Sequence, residues 1–295
     1  MKKVIITGAN GQDGVILSKL LIKKKYLVYK FIKKKIKSNR KNYFITLNKK
    51  FYNIKKEIDK IQPNIIIHLG SDNPSYNKKF LYKDYKKNLF FTKKIIDYVT
   101  NNNHIKLILV SSSKIFKKNT KKVTEDSPVY ANDYYSKFRI ESANYLLAKK
   151  NKHKLNATVL ILFNHDSKFR NPRFLLPRLI KAIKKNNINF LKEIYHQNIS
   201  GDFSHAEDIC NGIYKLSIFK KNIDKIILSS GKRLFINDVI NYLERLYNVK
   251  INKKISRNSV GCKTIGSNLF AKKVINYKIK KDIFLVCDEI IISYS

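Results

Sequence analysis

Read from its N-terminus, the chain alternates short runs that are apolar throughout with longer stretches whose apolar residues recur at helical spacing. The apolar runs are KVIITG (3–8), YLVYKFI (26–32), NIIIHLG (64–70), KLILVSSS (106–113) and ATVLILFN (157–164), all rich in β-branched residues. Amphipathic stretches over 15–25, 54–61, 90–99 and 137–147 separate them, the second of these preceded by a lysine-rich loop. A strand without a polar face is buried on both sides, so this rhythm predicts a parallel sheet covered by helices on each face. Right-handed crossovers then impose a doubly wound order. The predicted fold class is α/β, a Rossmann-like doubly wound parallel sheet.

After Asn164 the rhythm changes. A loop, HDSKFRNPRF, leads to a helix over 175–185, then a DFSHAED segment, KIILSSG (225–231), a helix over 236–246 and a terminal helical pattern. This predicts a cofactor-binding domain over 1–165 and a smaller, interwoven substrate lobe over 166–295, with 200–230 returning to the Rossmann sheet. The apolar run 283–292 is broken by Asp288 and Glu289, well short of the roughly 18 apolar residues a membrane span needs. MKKVIITGAN reads as a first strand rather than a signal peptide. Cys210, Cys262 and Cys287 lie far apart and form neither a disulfide framework nor a metal-ligand spacing, so no metal and a reducing, cytoplasmic location are expected.

A formal net charge of +41 would suit nucleic acid or an anionic surface. The charge is scattered through every segment, however, and only eight of the 62 basic residues are arginine. Together with abundant Asn, Ile and Tyr, that pattern fits A+T-rich coding filling solvated faces with lysine. A phosphate-reading surface would cluster and favour arginine. Loose association with anions at low salt is expected, and no specific nucleic-acid partner.

The chemistry begins at TGANGQDG (7–14), set between the first strand and the first helix. Glycines at Gly8, Gly11 and Gly14 suit a tight turn, close approach of backbone to a pyrophosphate, and close helix–strand packing, with the helix N-terminus facing the phosphates. Asn10, Gln12 and Asp13 belong to the same loop. At the end of the second strand an acid would bind ribose hydroxyls, whereas basic residues would accept a 2′-phosphate. Lys33, Lys34 and Lys35 stand there without a nearby acid, which favours NADP, with NAD as the alternative.

These motifs resemble the extended short-chain dehydrogenase/reductases (the NAD-dependent epimerases and dehydratases), and most closely the GDP-mannose 4,6-dehydratase group. The likeness continues through HLGS (68–71), VSSSKIF (110–116), YYSKFRIES (134–142), LFNHDS (162–167), GDFSHAEDI (201–209) and IGSNLFAKKVINYKIKKDI (265–283). It implies a nucleotide-sugar substrate, GDP-linked by this likeness, and pairing of the chain into a homo-oligomer. Hydride leaves C4 of the sugar while a tyrosinate takes the hydroxyl proton, a lysine favours the tyrosinate and holds the ribose, and water is then eliminated. Carried over, the catalytic set is Tyr134, Lys137 and Ser112, with Lys137 and Leu69 also at the cofactor. Ser113, Asn164 and Arg178 fall to the substrate.

Three positions depart from the pattern. Asp133 stands four residues before Lys137, where the tyrosine belongs, leaving Tyr134 three residues away on the same helix face; Tyr135, four before Arg139, is the second choice. Lys114 replaces the glutamate that serves elimination, and Gly201 replaces a diphosphate-binding arginine, for which Arg170, Arg173 and Arg178 are substitutes. The readings open at this point are a dehydratase (a lyase), an epimerase or 4-keto reductase on the same scaffold, and an NADP-binding protein without catalysis. His205 and Asp208, three apart, suggest packing or capping rather than metal binding, and His68 at a strand end suggests a structural role.

Overall fold

The computed structural model describes residues 1–32, 43–46, 51–75, 78–117, 120–251 and 264–294. Among them, seven strands form one sheet: β1 (Lys3–Thr7), β2 (Leu27–Ile32), β3 (Tyr43–Thr46), β4 (Ile65–His68), β5 (Lys106–Ser112), β6 (Ala157–Leu162) and β7 (Lys225–Leu228). Their spatial order is 3-2-1-4-5-6-7 and every pairing is parallel. The winding reverses between β1 and β4, and such a switch point opens a crevice at the carboxyl ends of the strands. The expected α/β, Rossmann-like class is the class observed. Ile65–His68 and Ala157–Leu162 are buried at every residue, as strands with two apolar faces must be.

Ten described helices surround this sheet: α1 (Gln12–Lys23), α2 (Phe51–Ile61), α3 (Tyr82–Thr100), α4 (Tyr134–His153), α5 (Leu175–Lys184), α6 (Ile188–His196), α7 (Ala206–Ile218), α8 (Ile236–Tyr247), α9 (Leu269–Ile275) and α10 (Ile283–Ser293). One face of the sheet packs Leu17 and Leu21 of α1 with Ile209 and Ile213 of α7. The other face packs Ile58 of α2, Ile96 of α3 and Leu146 of α4. A third core joins α5, α6, α8 and α10 through Leu179, Leu191, Ile240 and Val286.

Short strand pairs stitch this third core to the sheet. Asn164–Asp166 runs parallel to Phe203–His205, Ser200–Gly201 pairs antiparallel with Leu234–Phe235, and Lys122–Val123 pairs with Ile265–Gly266. Between them, α7 packs on α1 and β7 joins β6, so residues 206–228 lie on the sheet.

Several elements begin earlier than periodicity predicts. The first helix starts at Gln12 because the extended Gly11 caps it. The third starts at Tyr82, its first turns exposed and held by the Asp84 carboxylate accepting from Leu81 N–H at 3.0 Å. The fourth starts at Tyr134, and this has consequences for the chemistry.

Candidate active site

The three glycines of the N-terminal loop are required for three different reasons. Gly8 adopts φ +69°, and a Cβ there would stand 2.7 Å from Gly70 Cα. A Cβ on Gly14 would stand 2.5 Å from Ala9 Cα, so helix and strand approach too closely for any side chain. At Gly11 an added Cβ would meet only Gly8 O, at 3.3 Å, leaving a bare backbone surface with exposed Asn10 beside it. No side chain caps α1 at Gly11. Its first N–H groups are thus presented to an anion, and the cradle fits the pyrophosphate of a dinucleotide.

Gln12 and Asp13 turn elsewhere. The Gln12 amide donates to His165 O at 3.1 Å and accepts from Ser167 Oγ at 3.0 Å. Asp13 Oδ1 meets His165 Nε2 at 2.9 Å, while His165 Nδ1 donates to Phe163 O at 2.6 Å. Burial alone would lower the His165 pKa, but the Asp13 charge and hydrogen bond outweigh it and hold it above the ordinary value. Asp13 is shifted in the complementary sense: burial raises its pKa, and His165 more than reverses this. Lys33 and Lys34 lie outside the described residues.

Beyond this loop, at the carboxyl ends of β4, β5 and β6, lies a cleft of about 420 Å³. Its sheet-side wall carries Leu69, Ser112, Ser113, Lys114, Tyr135 and Arg139; its lobe-side wall carries Asn164, Arg170, Arg173 and Arg178. Ser112 caps a 3-10 turn, Ser113–Ile115, by accepting from Lys114 N–H at 3.3 Å.

The register of α4 decides which of its residues reach the cleft. Asp133 is its N-cap: Oδ1 accepts from Ser136 N–H at 2.7 Å, and Ser136 Oγ accepts from Asp133 N–H at 2.9 Å. This reciprocal box starts the helix with Tyr135, Phe138 and Arg139 inward. Tyr135 and Arg139 are each 5% exposed and line the cleft, four residues apart. Tyr134 is 46% exposed and packs with Tyr82 and Tyr85 on the outer face, where Lys137 pairs with Glu141 at 3.9 Å. The expected pair Tyr134–Lys137 is therefore outside the cleft, and Tyr135–Arg139 is inside it. The stripe 135, 138, 139, 142, 146, together with the Asp–Ser box, is the sequence signal that identifies the inward face.

Arg139 is a buried cation held by oxygens. Its Nη1 donates to Val110 O at 2.6 Å, and its Nη2 donates to Ser71 Oγ at 2.6 Å and to Tyr135 Oη at 3.1 Å. The Tyr135 hydroxyl in turn donates to Asn73 Oδ1 at 3.1 Å. A buried guanidinium costs several kcal/mol in desolvation, so such a charge is poor evidence of a stabilising role. Its presence beside a phenol points to chemistry. Ser71 and Asn73 were not anticipated from the sequence.

On the facing wall Arg170 Nε is 2.6 Å from Asp166, and its guanidinium stacks 3.7 Å from the Phe174 ring centroid. Four of the chain's eight arginines line this cleft. In a chain that otherwise uses lysine, that concentration marks positions where a planar, forked donor is needed. Gly201 is buried and paired with Leu234, contributing no side chain. His205 caps α7 through Glu207 N–H and meets Glu289 at 3.2 Å, while Asp208 accepts from the N–H groups of Lys280 and Lys281. His68, bonded to Thr7 and Thr92, is held neutral by burial and by Arg139, its pKa lowered to about 3.

The sequence model of the NAD dependent epimerase/dehydratase family matches residues 4–226. GDP-mannose 4,6 dehydratase 1 of Arabidopsis thaliana is 22% identical over 310 residues, covering 95% of this chain and 86% of that protein. The Homo sapiens GDP-mannose 4,6 dehydratase is 23% identical, covering 89% and 77%. Among solved structures, dTDP-glucose 4,6-dehydratase from Bacillus anthracis in complex with NAD superposes with a TM-score of 0.83 at 15% identity, over 100% of this chain and 96% of that one. UDP-glucuronic acid 4-epimerase from Bacillus cereus in complex with NAD gives 0.80 at 17%, over 99% of each. At these identities the structural likeness speaks for the fold. No described helix is long and apolar enough to cross a membrane.

Proposed function

Because this chain belongs to the NAD dependent epimerase/dehydratase family, we propose that it oxidises and reduces a hydroxyl-bearing carbon of a nucleotide-linked sugar, as an epimerase or 4-keto reductase. Tyr135 is the proton carrier, Ser112 a hydroxyl partner and Arg139 the charge that meets the phenolate. The observation that carries this reading is the Tyr135–Arg139 pair, buried in the same cleft as Ser112, beside the glycine cradle. The domain division follows: residues 1–165 hold the cofactor, and 166–295 supply the lobe that faces the sugar nucleotide.

The nicotinamide, when bound, supplies the hydride acceptor and donor. Gly8, Gly11 and Gly14 would hold its pyrophosphate, with Asn10 and Leu69 alongside. The basic run after β2 favours NADP. Tyr135 Oη receives the proton of the reacting sugar hydroxyl and later returns it. Negative charge on that oxygen faces the Arg139 guanidinium at 3.1 Å. Ser112 and Ser113 orient the hydroxyls, and Asn164 with Arg173 and Arg178 receives the diphosphate end.

The family also contains dehydratases, and the GDP-mannose enzymes match along most of the chain. Elimination needs a base for the C5 proton. Asp13 is the only carboxylate lining the cleft among the described residues, and it is committed to His165. Lys114 stands where the glutamate would be. That inventory favours the epimerase or reductase reading. Incubating the protein with NAD or NADP and a panel of nucleotide hexoses and 4-keto sugars, with products followed by NMR, tests it. Epimer formation or keto-sugar-dependent NADPH oxidation is expected. A 4-keto-6-deoxy product would restore the dehydratase, and cofactor binding with no turnover on any substrate would leave a binding protein.

A further inference from the structure

We propose that Asn73 is a substrate-binding residue of this cleft. Its side-chain N–H groups donate to the sugar oxygen beside the one that reacts, which is the 3-hydroxyl when C4 is the reacting carbon. This rests on the nucleotide-sugar reading above and adds to it the ring position that the protein reads.

Asn73 follows β4 on a loop whose backbone is pinned at two points. Gly70 N–H donates to Thr7 Oγ1 at 3.0 Å, and Asp72 N–H donates to Asn88 Oδ1 at 3.0 Å. The orientation of the Asn73 amide is then set by its neighbours. Its Oδ1 accepts from Tyr135 Oη at 3.1 Å, from Ser71 Oγ at 3.3 Å and, at a longer 3.5 Å, from Arg139 Nη2. Arg139 Nη2 also donates to both of those hydroxyls, so each directs its own proton to Asn73. A flipped amide would turn N–H groups toward a guanidinium, which accepts nothing, and would leave two hydroxyl protons without an acceptor. The end of the amide that meets Tyr135 is therefore the oxygen.

Nδ2 is left facing the ligand. Every side-chain hydrogen bond of Asn73 among the described residues runs to Oδ1, and the residue is exposed where it lines the cleft beside Tyr135. Two N–H groups thus stand next to the phenol that exchanges a proton with the sugar. They can only donate, so the group that meets them must be an acceptor. Neighbouring equatorial oxygens of a pyranose stand about one hydrogen-bond length apart. One of them can exchange its proton with Tyr135 while the next accepts from Nδ2. On a ring that reacts at C4, the exocyclic oxygen next door is the 3-hydroxyl.

The test compares pairs that differ only at that oxygen: UDP-glucose with UDP-3-deoxyglucose, and GDP-mannose with GDP-3-deoxymannose. Dissociation constants are measured by calorimetry on the protein at saturating NADP. The 3-hydroxy member of at least one pair is expected to bind roughly three- to tenfold tighter, the worth of one hydrogen bond. This ratio should fall to near one in Asn73→Ala and in Asn73→Leu, an apolar side chain of similar shape. Both members of a pair meet the same variant, so a general loss of affinity cancels in the ratio. Asn73 is an exposed loop residue, and substitutions at such positions leave the fold intact. Equal affinity within both pairs, or a preference that survives both substitutions, overturns the inference and leaves the nucleotide-sugar reading standing. Failure of all four compounds to bind overturns both.

Discussion

Between Tyr134 and Tyr135 the difference is one residue of chain and about 100° of helix rotation. That rotation separates a phenol stacked on the outer face from one held by Arg139 and Asn73 inside the cleft. Tyr135→Phe is therefore expected to lower kcat by roughly two to four orders of magnitude, the usual worth of a positioned proton carrier, with little change in nucleotide-sugar affinity. Tyr134→Phe and Lys137→Ala should leave kcat near wild type. Steady-state kinetics on whichever nucleotide sugar turns over decides between the pairs; the reverse pattern would return the chemistry to Tyr134 and Lys137. Ser112, Ser113 and Asn164 were legible as cleft residues because they stand at the ends of strands whose order the motifs fix. The Tyr register was not, because a lysine at 137 invites pairing with the nearest tyrosine, while an arginine four residues after Tyr135 breaks the expected residue type.

At the scale of elements, the same register is set by the Asp133–Ser136 box, which holds the first turn of α4 and so aims Tyr135. Asp133→Ala is expected to cost about 1 kcal/mol of stability, as lost N-caps do, read as a lower midpoint in urea or thermal unfolding. Because the frayed turn carries Tyr135, kcat should fall more than stability alone explains. An unchanged midpoint would mean that packing of Phe138 and Leu146 sets the register without the cap. The central strands were legible because burial on both faces leaves no polar position to obscure the pattern. By contrast, YFIT of β3 sits among lysines and asparagines that read as loop. The nine-residue α6 offers only Leu191, Ile194 and Tyr195 as buried positions, too few for a period to emerge. The early turns of α3 are exposed and charged, so periodicity finds that helix late.

For the whole molecule, three cores meet around one crevice, and the large positive charge acquires a structure it lacks in the sequence. Lysine covers the solvated faces, while arginine is concentrated on the cleft. One connection across that crevice has a further consequence. Gln12 and Asp13 sit on the first turn of α1, beside the glycine cradle proposed for the cofactor, and the residues they grip, His165 and Ser167, begin the loop that leads to the arginine wall. The two ligand sites thus share a strut, which makes their occupancies thermodynamically conjugate. Filling one should raise affinity for the other by the same factor in either order of addition. Titrating nucleotide sugar with and without saturating NADP measures that factor, which His165→Asn should bring to one. The His165 pKa is raised in the folded protein, so the imidazolium–carboxylate link is complete below the ordinary value of 6.5 and is lost as pH rises through the raised one. The reciprocity between cofactor and sugar should fade as pH rises through that interval, so a proton on a residue with no role in hydride transfer would set how strongly each ligand promotes the other.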